Sequence, residues 1–547
     1  MSQDNVTPTV KGPGVYINEP PGPATINAVS TSTAIFLGET ELGAVDGPQL
    51  ITSWNAYVNA FGGLAWGLQT PAALYAFFQQ GGALAYVSRM ARPGAFAAHT
   101  MVEPIGVRAA SPGAWGNGLS VRITNSPMET PPVEAEAPVF ALQILHRIPD
   151  SGAETANEAR IAAFAARNQI SAQTIEGERY WILESYPGLT ARDLDKPDAD
   201  TPCPLESRVN GASLFARVKC VPGAGVRPKN VLEPQALTGG IGDDETTPAD
   251  YTAGLAGLDG LVDASILLCP EISSGEGMEN MRDLGRLVLT YCENRPNRDL
   301  FAVMDAPFGL TPLEAVDFKT GAQVRGAPSG EALNSSYGAI YYPWIYIYNQ
   351  LGAAEIPVAP AGAIAGLYAA ADQAVGPWQA PAGTANGAMI VATGLERDVS
   401  SNDQDQLNPN GVNAIRNFTN YGILAFGART LSADPGVVYL SVRRTLIMIE
   451  NSLRVGLHWV VFEPSTPQTW GNVIRSVTAF LTSLWRQGAL FGTTAAEALW
   501  VTCDESNNPP EMAARGELNV SVGVSMVNPS EFTVISLKFQ TAAAPAD

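Results

Sequence analysis

The sequence predicts a multidomain protein of the α/β (α+β) class. The chain has 547 residues, which exceeds what one hydrophobic core usually holds, so two to four domains are expected. Apolar segments of strand length alternate with segments of helical periodicity, the pattern typical of α/β domains. Hydrophobic residues make up 46% and charged residues 16%, which is typical of a globular chain rather than a disordered one.

The first elements predict a βαβ unit. Residues 33–38 form an apolar run of strand length, residues 69–80 have helical spacing, and residues 83–88 form a second strand. The same alternation resumes much later, with a strand at 264–269, a helix at 279–294 and a strand at 300–304. These segments together predict one α/β domain that is interrupted by an insertion.

The insertion, residues 105–237, is predicted to be a β-rich module with one helix. Its loops are polar and rich in proline, a composition that suits an outer surface. Short alternating strands are predicted at 119–124, 139–145, 179–183 and 213–220, and the helix at 154–166.

The clearest helix of the chain lies in residues 437–492. Thr466 suits its N-cap, Pro467 its first position and Gly488 a left-handed stop. An earlier helix is predicted at 441–454, and the apolar run 457–463 is predicted to be a strand between the two. The large apolar residues of the second helix share one face: Trp470, Val473, Ile474, Val477, Phe480, Leu481, Leu484 and Trp485.

This region resembles the C-terminal domain of tail sheath proteins, the subunits of contractile phage tails and of phage-tail-like injection systems. The core motif that carries the resemblance includes Arg443, Arg444, Glu450, Trp459, Phe462, Glu463, Pro464 and Trp470. Further matches lie at 333–344, 366–378, 407–413, 427–430, 488–490, 500–504 and 529–532. Because Arg443 and Arg444 precede Glu450 on one helix, an ion pair with Glu450 or Glu463 is expected.

The resemblance and the residue pattern together give a predicted domain organisation. An N-terminal arm occupies 1–28, and the middle α/β domain occupies 29–104 and 238–333, on either side of the outward-facing insertion. The sheath C-terminal core domain occupies 334–516, and C-terminal strands or an arm occupy 517–547.

Both ends of the chain are candidates for strand exchange between subunits. Residues 14–19 read as a strand without a local hairpin partner, which either pairs with a sheet elsewhere or belongs to a disordered tail. Residues 517–527 and 531–540 also alternate like strands. In the sheath family these ends reach neighbouring subunits, and the resemblance implies this role for Val15, Tyr16, Ile17, Leu518, Val520, Val522, Phe532, Val534 and Ile535.

The net charge and the cysteine content indicate which kinds of partner and which cellular compartment to expect. The formal net charge of −21 repels nucleic acid and anionic membranes, so we expect no nucleic-acid partner. The chain has no secretory signal and no run of about twenty apolar residues, so no membrane insertion is expected. Its five cysteines form no C-x-x-C pair, which suits reduced thiols in a cytoplasmic protein better than a disulfide framework or a zinc site.

The sequence contains few motifs that are typical of catalytic or ligand-binding sites. We therefore expect no catalytic, cofactor-binding or metal-binding residues. The three histidines are far apart, and His458 reads as a structural or surface position of the predicted strand. No P-loop motif occurs. The acidic loop 239–245 imitates a phosphate loop, but it lacks a lysine and its adjacent carboxylates would repel an anion.

Functions from two classes, structural and enzymatic, follow. The resemblance implies a structural subunit that polymerises helically, as stacked hexameric rings, around an inner tube and contracts to drive the tube through an envelope. Its implied partners are further copies of itself, the tube protein, and baseplate and cap or terminator proteins. The single chain is similar to phage or injection-particle sheaths, assembled in the cytoplasm, rather than to two-chain type VI sheaths. The alternatives are a non-contractile assembly protein and a cytoplasmic α/β enzyme with Asp305 at a strand end.

Overall fold

A computed structural model describes residues 25–529 and residue 531, apart from 42, 44–46, 66, 91–96, 111, 126–138, 150–155, 199–200, 224–225, 242–247, 274–276 and 350–353. The chain forms two units. Unit 1 comprises the described residues up to Val29 together with Ile449–Val527. Unit 2 comprises Ser30–Met448 and the described residues from Asn528 onward. The acids of the loop 239–245 lie outside the described residues.

The strands are β1 (Ala34–Glu39), β2 (Gln49–Ile51), β3 (Ala85–Met90), β4 (His99–Val102), β5 (Ile105–Ala109), β6 (Leu119–Asn125), β7 (Phe140–Arg147), β8 (Ala172–Ile175), β9 (Glu178–Leu189), β10 (Ala216–Cys220), β11 (Val231–Ala236), β12 (Ile266–Leu268), β13 (Phe301–Asp305), β14 (Gly338–Tyr342), β15 (Ile345–Asn349), β16 (Ala354–Val358), β17 (Ala392–Leu395), β18 (Val412–Phe418), β19 (Gly422–Ala425), β20 (Leu499–Thr502) and β21 (Ser521–Val524). The α-helices are α1 (Trp54–Phe61), α2 (Gln69–Gln79), α3 (Ala156–Arg167), α4 (Pro204–Ala212), α5 (Pro248–Ala256), α6 (Met278–Asn294), α7 (Pro312–Thr320), α8 (Ala361–Ala374), α9 (Gly383–Asn386), α10 (Ser401–Leu407), α11 (Leu440–Gly456), α12 (Pro467–Arg486), α13 (Ala495–Ala498) and α14 (Pro510–Ala514). Short 3₁₀ helices lie at Ala114–Gly118, Ala191–Leu194, Pro270–Ser273, Asn408–Asn410 and His458–Val460.

Unit 2 is built on an eight-stranded sheet with the order β19-β18-β14-β13-β12-β1-β3-β2. The pairs from β18 to β3 are parallel, and the edge strands β19 and β2 are antiparallel to their neighbours. The inner strands are continuous apolar runs because helices cover such sheets on both faces. The prediction of a βαβ unit is confirmed, since β1 and β3 are parallel and α2 lies between them in the chain. The predicted strands near 264 and 300 and the helix near 279 are confirmed as β12, β13 and α6.

Helices α2 and α8 pack closely against each other in unit 2. A side chain on Gly362 would place its Cβ 2.1 Å from the Ala73 carbonyl oxygen, and one on Gly366 would lie 2.5 Å from the Phe77 oxygen. Both distances are far below van der Waals contact, so glycine is required at these two positions of the helix crossing.

The insertion is β-rich, as predicted. It contains a three-stranded sheet, β10-β5-β4, and a five-stranded sheet, β11-β6-β7-β9-β8, both antiparallel. The predicted strands are confirmed as β6, β7, β9 and β10, and the helix as α3. The prediction of a single helix is wrong because α4 is a second one. Only Leu205 and Val209 mark its apolar side, too few positions for periodicity to reveal a nine-residue helix.

The two ends of the insertion meet at one point of the fold. The amide of His99 donates to the Thr238 carbonyl oxygen at 2.8 Å, and the amide of Thr238 donates back to His99 at 3.0 Å. Strand β4, which begins at His99, pairs with β5, so the antiparallel ribbon starts before residue 105. Likewise β14 pairs with β13, so the large sheet continues across the predicted limit at 334.

The amphipathic helix that the sequence predicts is confirmed in unit 1, together with the residues that start and end it. The Thr466 hydroxyl accepts a hydrogen bond from the Thr469 amide at the start of α12, and Pro467 is its first residue. After the helix, Gly488 adopts a left-handed φ of 84°. The predicted helix 441–454 is confirmed as α11, which runs from unit 2 into unit 1.

The predicted strand at 457–463 is wrong. The segment forms a 3₁₀ turn, His458–Val460, and Phe462 then takes a positive φ of 74°. A strand requires a neighbouring strand to take up its backbone hydrogen bonds. Here Val460, Val461 and Glu463 instead donate their amides to carbonyl oxygens three residues earlier. His458 is exposed on this turn rather than on a strand.

Candidate assembly site

A buried ion pair links α11 to α8 within unit 2. The Arg444 guanidinium donates to both carboxylate oxygens of Asp372, at 3.0 and 2.6 Å, and each side chain is only 3% exposed. A third hydrogen bond, 3.0 Å long, goes to the Thr31 carbonyl oxygen. This two-pronged geometry holds the helices in one relative position, which a single contact could not do.

Two tyrosines extend the Arg444–Asp372 pair into the central sheet. The Arg444 guanidinium lies 4.5 Å above the Tyr368 ring, and the Tyr368 hydroxyl is 2.7 Å from that of Tyr341 on β14. Burial raises the pKa of both phenols, so they stay neutral and their hydroxyls bond to each other.

The sequence predicts an ion pair of the motif arginines with Glu450 or Glu463. For Arg444 this prediction is wrong. The carboxylates of Glu450 and Glu463 are exposed, whereas Arg444 binds Asp372, 72 residues earlier. Arg443 lies 4.6 Å above the Tyr337 ring. Sequence spacing missed Asp372 because α8 and α11 become neighbours only in the folded chain.

The rest of the motif forms an exposed turn in unit 1. Phe462 is fully exposed and Val461 is 55% exposed, and Glu463 and Pro464 are also at the surface. Trp459 is half-buried. Trp470, in α12, is buried and its indole donates to the Ser465 hydroxyl at 3.1 Å. The turn therefore presents two large apolar side chains to the surface, and one of them, Phe462, has a positive φ of 74°.

Unit 1 also contains a small sheet, which in the described part of the chain has two strands, β20 and β21. Of the residues implied in strand exchange, Val522 lies in β21 and pairs with Val501, while Leu518 and Val520 precede the strand. Val15, Tyr16, Ile17, Phe532, Val534 and Ile535 lie outside the described residues. A two-stranded sheet is marginally stable by itself, so additional strands would strengthen it.

Glu531 forms an ion pair with Arg429 within unit 2. Arg429 Nε donates to the Glu531 carboxylate at 3.0 Å, and the two side chains are 15% and 13% exposed. Asn408 also contacts Glu531, so two side chains of unit 2 hold this glutamate.

The carboxyl edge of the large sheet, where related sheets bind ligands, holds two buried acids. Asp305 accepts a hydrogen bond of 2.6 Å from the Ala361 amide at the start of α8. Glu271 accepts from the amide and hydroxyl of Thr70 at the start of α2. Burial raises the pKa of Asp305 well above its ordinary value and that of Glu271 to about 7. Both acids therefore act as helix caps, a role that the position of Asp305 in the sequence did not reveal.

One group of possible metal ligands stands out in the described residues: Cys203, Glu206 and Cys220 have ligand atoms within 4.8 Å of one another. All five cysteines are buried free thiols. The two cysteines lie seventeen positions apart, which is not a recognised ligand spacing, so the sequence does not reveal this group.

Among the described helices, none has the length and hydropathy that crossing a membrane requires.

Two protein-family models match the chain in succession, the phage tail sheath protein central domain over residues 244–431 and the phage tail sheath C-terminal domain over residues 432–540. The chain belongs to the tail sheath family. It is 26% identical over 216 residues to the tail sheath protein of Vibrio phage KVP40, an alignment covering 39% of this chain and 31% of that protein. It is 28% identical over 242 residues to the tail sheath protein of Burkholderia phage BcepMu, covering 42% of this chain and 47% of that protein. The chain thus spans less than half the length of these sheath relatives.

Solved sheath structures share the fold along nearly the whole chain. The contracted helical sheath of the anti-feeding prophage has a TM-score of 0.55 and 19% identity, covering 97% of this chain and 99% of that one. The contracted sheath complex of the extracellular injection system PVC has a TM-score of 0.54 and 19% identity, covering 97% and 98%. The sheath fold therefore includes the insertion, beyond the residues matched by the two family models.

Proposed function

We propose that this chain is the structural subunit of a contractile sheath. Copies polymerise helically around an inner tube, as stacked hexameric rings, and contraction drives the tube through a target envelope. The observation that carries the proposal is the succession of two sheath family models from residue 244 to residue 540. Shared fold with two contracted sheaths supports it. The tube, baseplate and cap or terminator proteins are the proposed partners, and assembly takes place in the cytoplasm.

Strand exchange is the proposed link between subunits. The sheet of β20 and β21 accepts strands from the terminal arms of neighbouring subunits, with Val15, Tyr16 and Ile17 on the N-terminal side. Each backbone hydrogen bond contributes about 0.5–1.5 kcal/mol net, so a strand of four to six residues holds two copies together. Such links keep subunits connected while their other contacts rearrange, and contraction then proceeds without a nucleotide.

Negative-stain electron microscopy of the purified protein tests the proposal directly. We expect sleeves of uniform diameter whose length rises with protein concentration. Only monomers at every concentration, under conditions where circular dichroism shows a folded chain, would contradict the polymer.

Deletion of the N-terminal arm separates polymerisation from folding. Removing residues 1–22 is expected to leave a folded subunit that forms no sleeves, because the donated strand is lost. Removing residues 1–12 is the matched control, since it retains the strand-like residues 14–19 and should retain sleeves. Sleeves from the longer deletion would refute strand exchange by this arm while leaving helical polymerisation intact.

A further inference from the structure

Two buried thiols lie side by side in the insertion. Cys203 immediately precedes α4, and Cys220 is the last residue of β10. Their sulfur atoms are 3.0 Å apart, and each residue is 1% exposed. Ordinary contacts between nonbonded heavy atoms lie at roughly 3.5–4.0 Å, so these sulfurs are unusually close. A disulfide bond of about 2.05 Å requires them to approach by only about 1 Å more.

The surroundings of the thiols disfavour metal binding. Glu206, the third member of the group, accepts hydrogen bonds from the Lys196 ammonium at 2.7 and 2.8 Å and from the Cys220 amide at 2.6 Å. Both carboxylate oxygens are thus occupied, and the buried ammonium would repel a divalent cation. A disulfide bond, in contrast, is uncharged and leaves the Lys196–Glu206 ion pair intact.

An open cavity leads to Cys220. It has a volume of about 900 Å³, large enough for a small molecule, and its lining includes Lys219 and the half-exposed Arg108. These cations favour the entry of a reagent that carries carboxylates. Cys220 belongs to the cavity lining although the residue is only 1% exposed, and Cys203 does not belong to it, so Cys220 is the member of the pair that borders the cavity.

We propose that Cys203 and Cys220 are a redox-modification site that forms an intramolecular disulfide with a small-molecule disulfide such as oxidised glutathione. The Cys220 thiol loses its proton to water in the cavity, and its thiolate attacks the reagent, forming a mixed disulfide and releasing one glutathione thiolate, which takes up a proton. The Cys203 thiolate, after losing its own proton, attacks the Cys220 sulfur and expels the second glutathione. Two protein thiols are oxidised, and one small disulfide is reduced to two thiols.

The disulfide bond would join the start of α4 to the end of β10. Its formation does not depend on whether the chain polymerises. Burial raises the pKa of the Cys220 thiol, so little thiolate is present at neutral pH and the reaction is slow. The thiols therefore persist in a reducing compartment, and the bond forms only on sustained exposure to an oxidising one.

Incubation of the full chain with oxidised glutathione, followed by denaturation and alkylation, tests the site. We expect the intact mass before alkylation to drop by two hydrogen atoms, the number of alkylated cysteines to fall from five to three, and a peptide map to join Cys203 to Cys220. The Cys203→Ser variant should instead accumulate one glutathione on Cys220. The Cys269→Ser variant, which removes a buried thiol elsewhere, should still form the bond.

Three results would overturn the proposal. One is that all five thiols of the folded wild type stay free after prolonged incubation, with circular dichroism confirming the fold. Another is a disulfide that joins a different pair of cysteines. The third is protection of both thiols from alkylation by added zinc, reversed by a chelator, which would make the group a metal site.

Discussion

Asp372 and Arg444 have to be considered as a pair, because each is buried and neutralises the other. Replacing Asp372 by Asn leaves a buried guanidinium without a carboxylate, and we expect a loss of about 3–5 kcal/mol in the free energy of unfolding. Urea unfolding followed by circular dichroism measures this. The double variant with Asp372→Leu and Arg444→Met should recover most of the loss. Equal instability of the double variant would mean that the pair itself, rather than an uncompensated charge, supplies the stability.

Glu271 makes unit 2 sensitive to pH. Its pKa is about 7 in the folded chain, raised by burial from an ordinary value of 4.5. Because the folded state holds the proton more tightly, the contribution of this group to stability is complete below pH 4.5 and is lost as pH rises to about 7. The total loss is about 3 kcal/mol.

The Glu271→Gln variant should remove this pH dependence, since glutamine resembles the protonated acid. Relative to wild type, the variant is expected to gain about 3 kcal/mol of stability between pH 4.5 and pH 8 in urea unfolding. The exposed Glu279→Gln variant is the control, with changes below about 0.5 kcal/mol at both pH values. A constant difference between wild type and Glu271→Gln across this range would contradict a raised pKa.

Two glycine-to-alanine substitutions, one at the crossing of α2 and α8 and one in α4, are expected to have opposite effects on stability. Gly362→Ala is expected to lower stability by about 1–3 kcal/mol, because its Cβ would overlap the Ala73 carbonyl. Gly211→Ala in α4 meets no atom within 4 Å and should raise stability by up to about 1 kcal/mol. Thermal unfolding of both variants checks the contrast. If Gly362→Ala were tolerated as well as Gly211→Ala, the helices would pack less closely than described.

At the scale of single elements, the sequence predicts a helix or strand best where several local signals agree. The sequence predicts helix α12 with its cap, its proline and its stop because Thr466, Pro467 and Gly488 act within one turn of the helix ends. The prediction of a strand at 457–463 fails because apolar content alone does not supply a neighbouring strand with which to pair. The Arg444–Asp372 pair and the Cys203–Cys220 pair depend on which elements become neighbours, and no local pattern encodes that.

For the whole molecule, the meeting of His99 and Thr238 predicts where the insertion can be removed. Replacing residues 99–238 with about three small residues should leave a folded central sheet, because adjacent strands are only about 5 Å apart. Removing 105–237 instead is the matched comparison and should be less soluble, since β4 would lose its partner β5. Solubility and circular dichroism compare the two variants. Equal behaviour of both would argue against the junction at His99.

The position of the insertion also affects the chain while it is being made. Thr33, just before β1, is hydrogen-bonded to Ser265, 232 positions later, and β12 follows that serine. At about 5–20 residues per second, a ribosome needs roughly 10–50 s to cover this interval, during which one edge of β1 has no partner. The apolar β1 strand is then a template for wrong pairing with other nascent chains. The hairpins of the insertion, being local in sequence, can form in that interval. Yield from cells should therefore depend on translation speed and on chaperones that shield this strand.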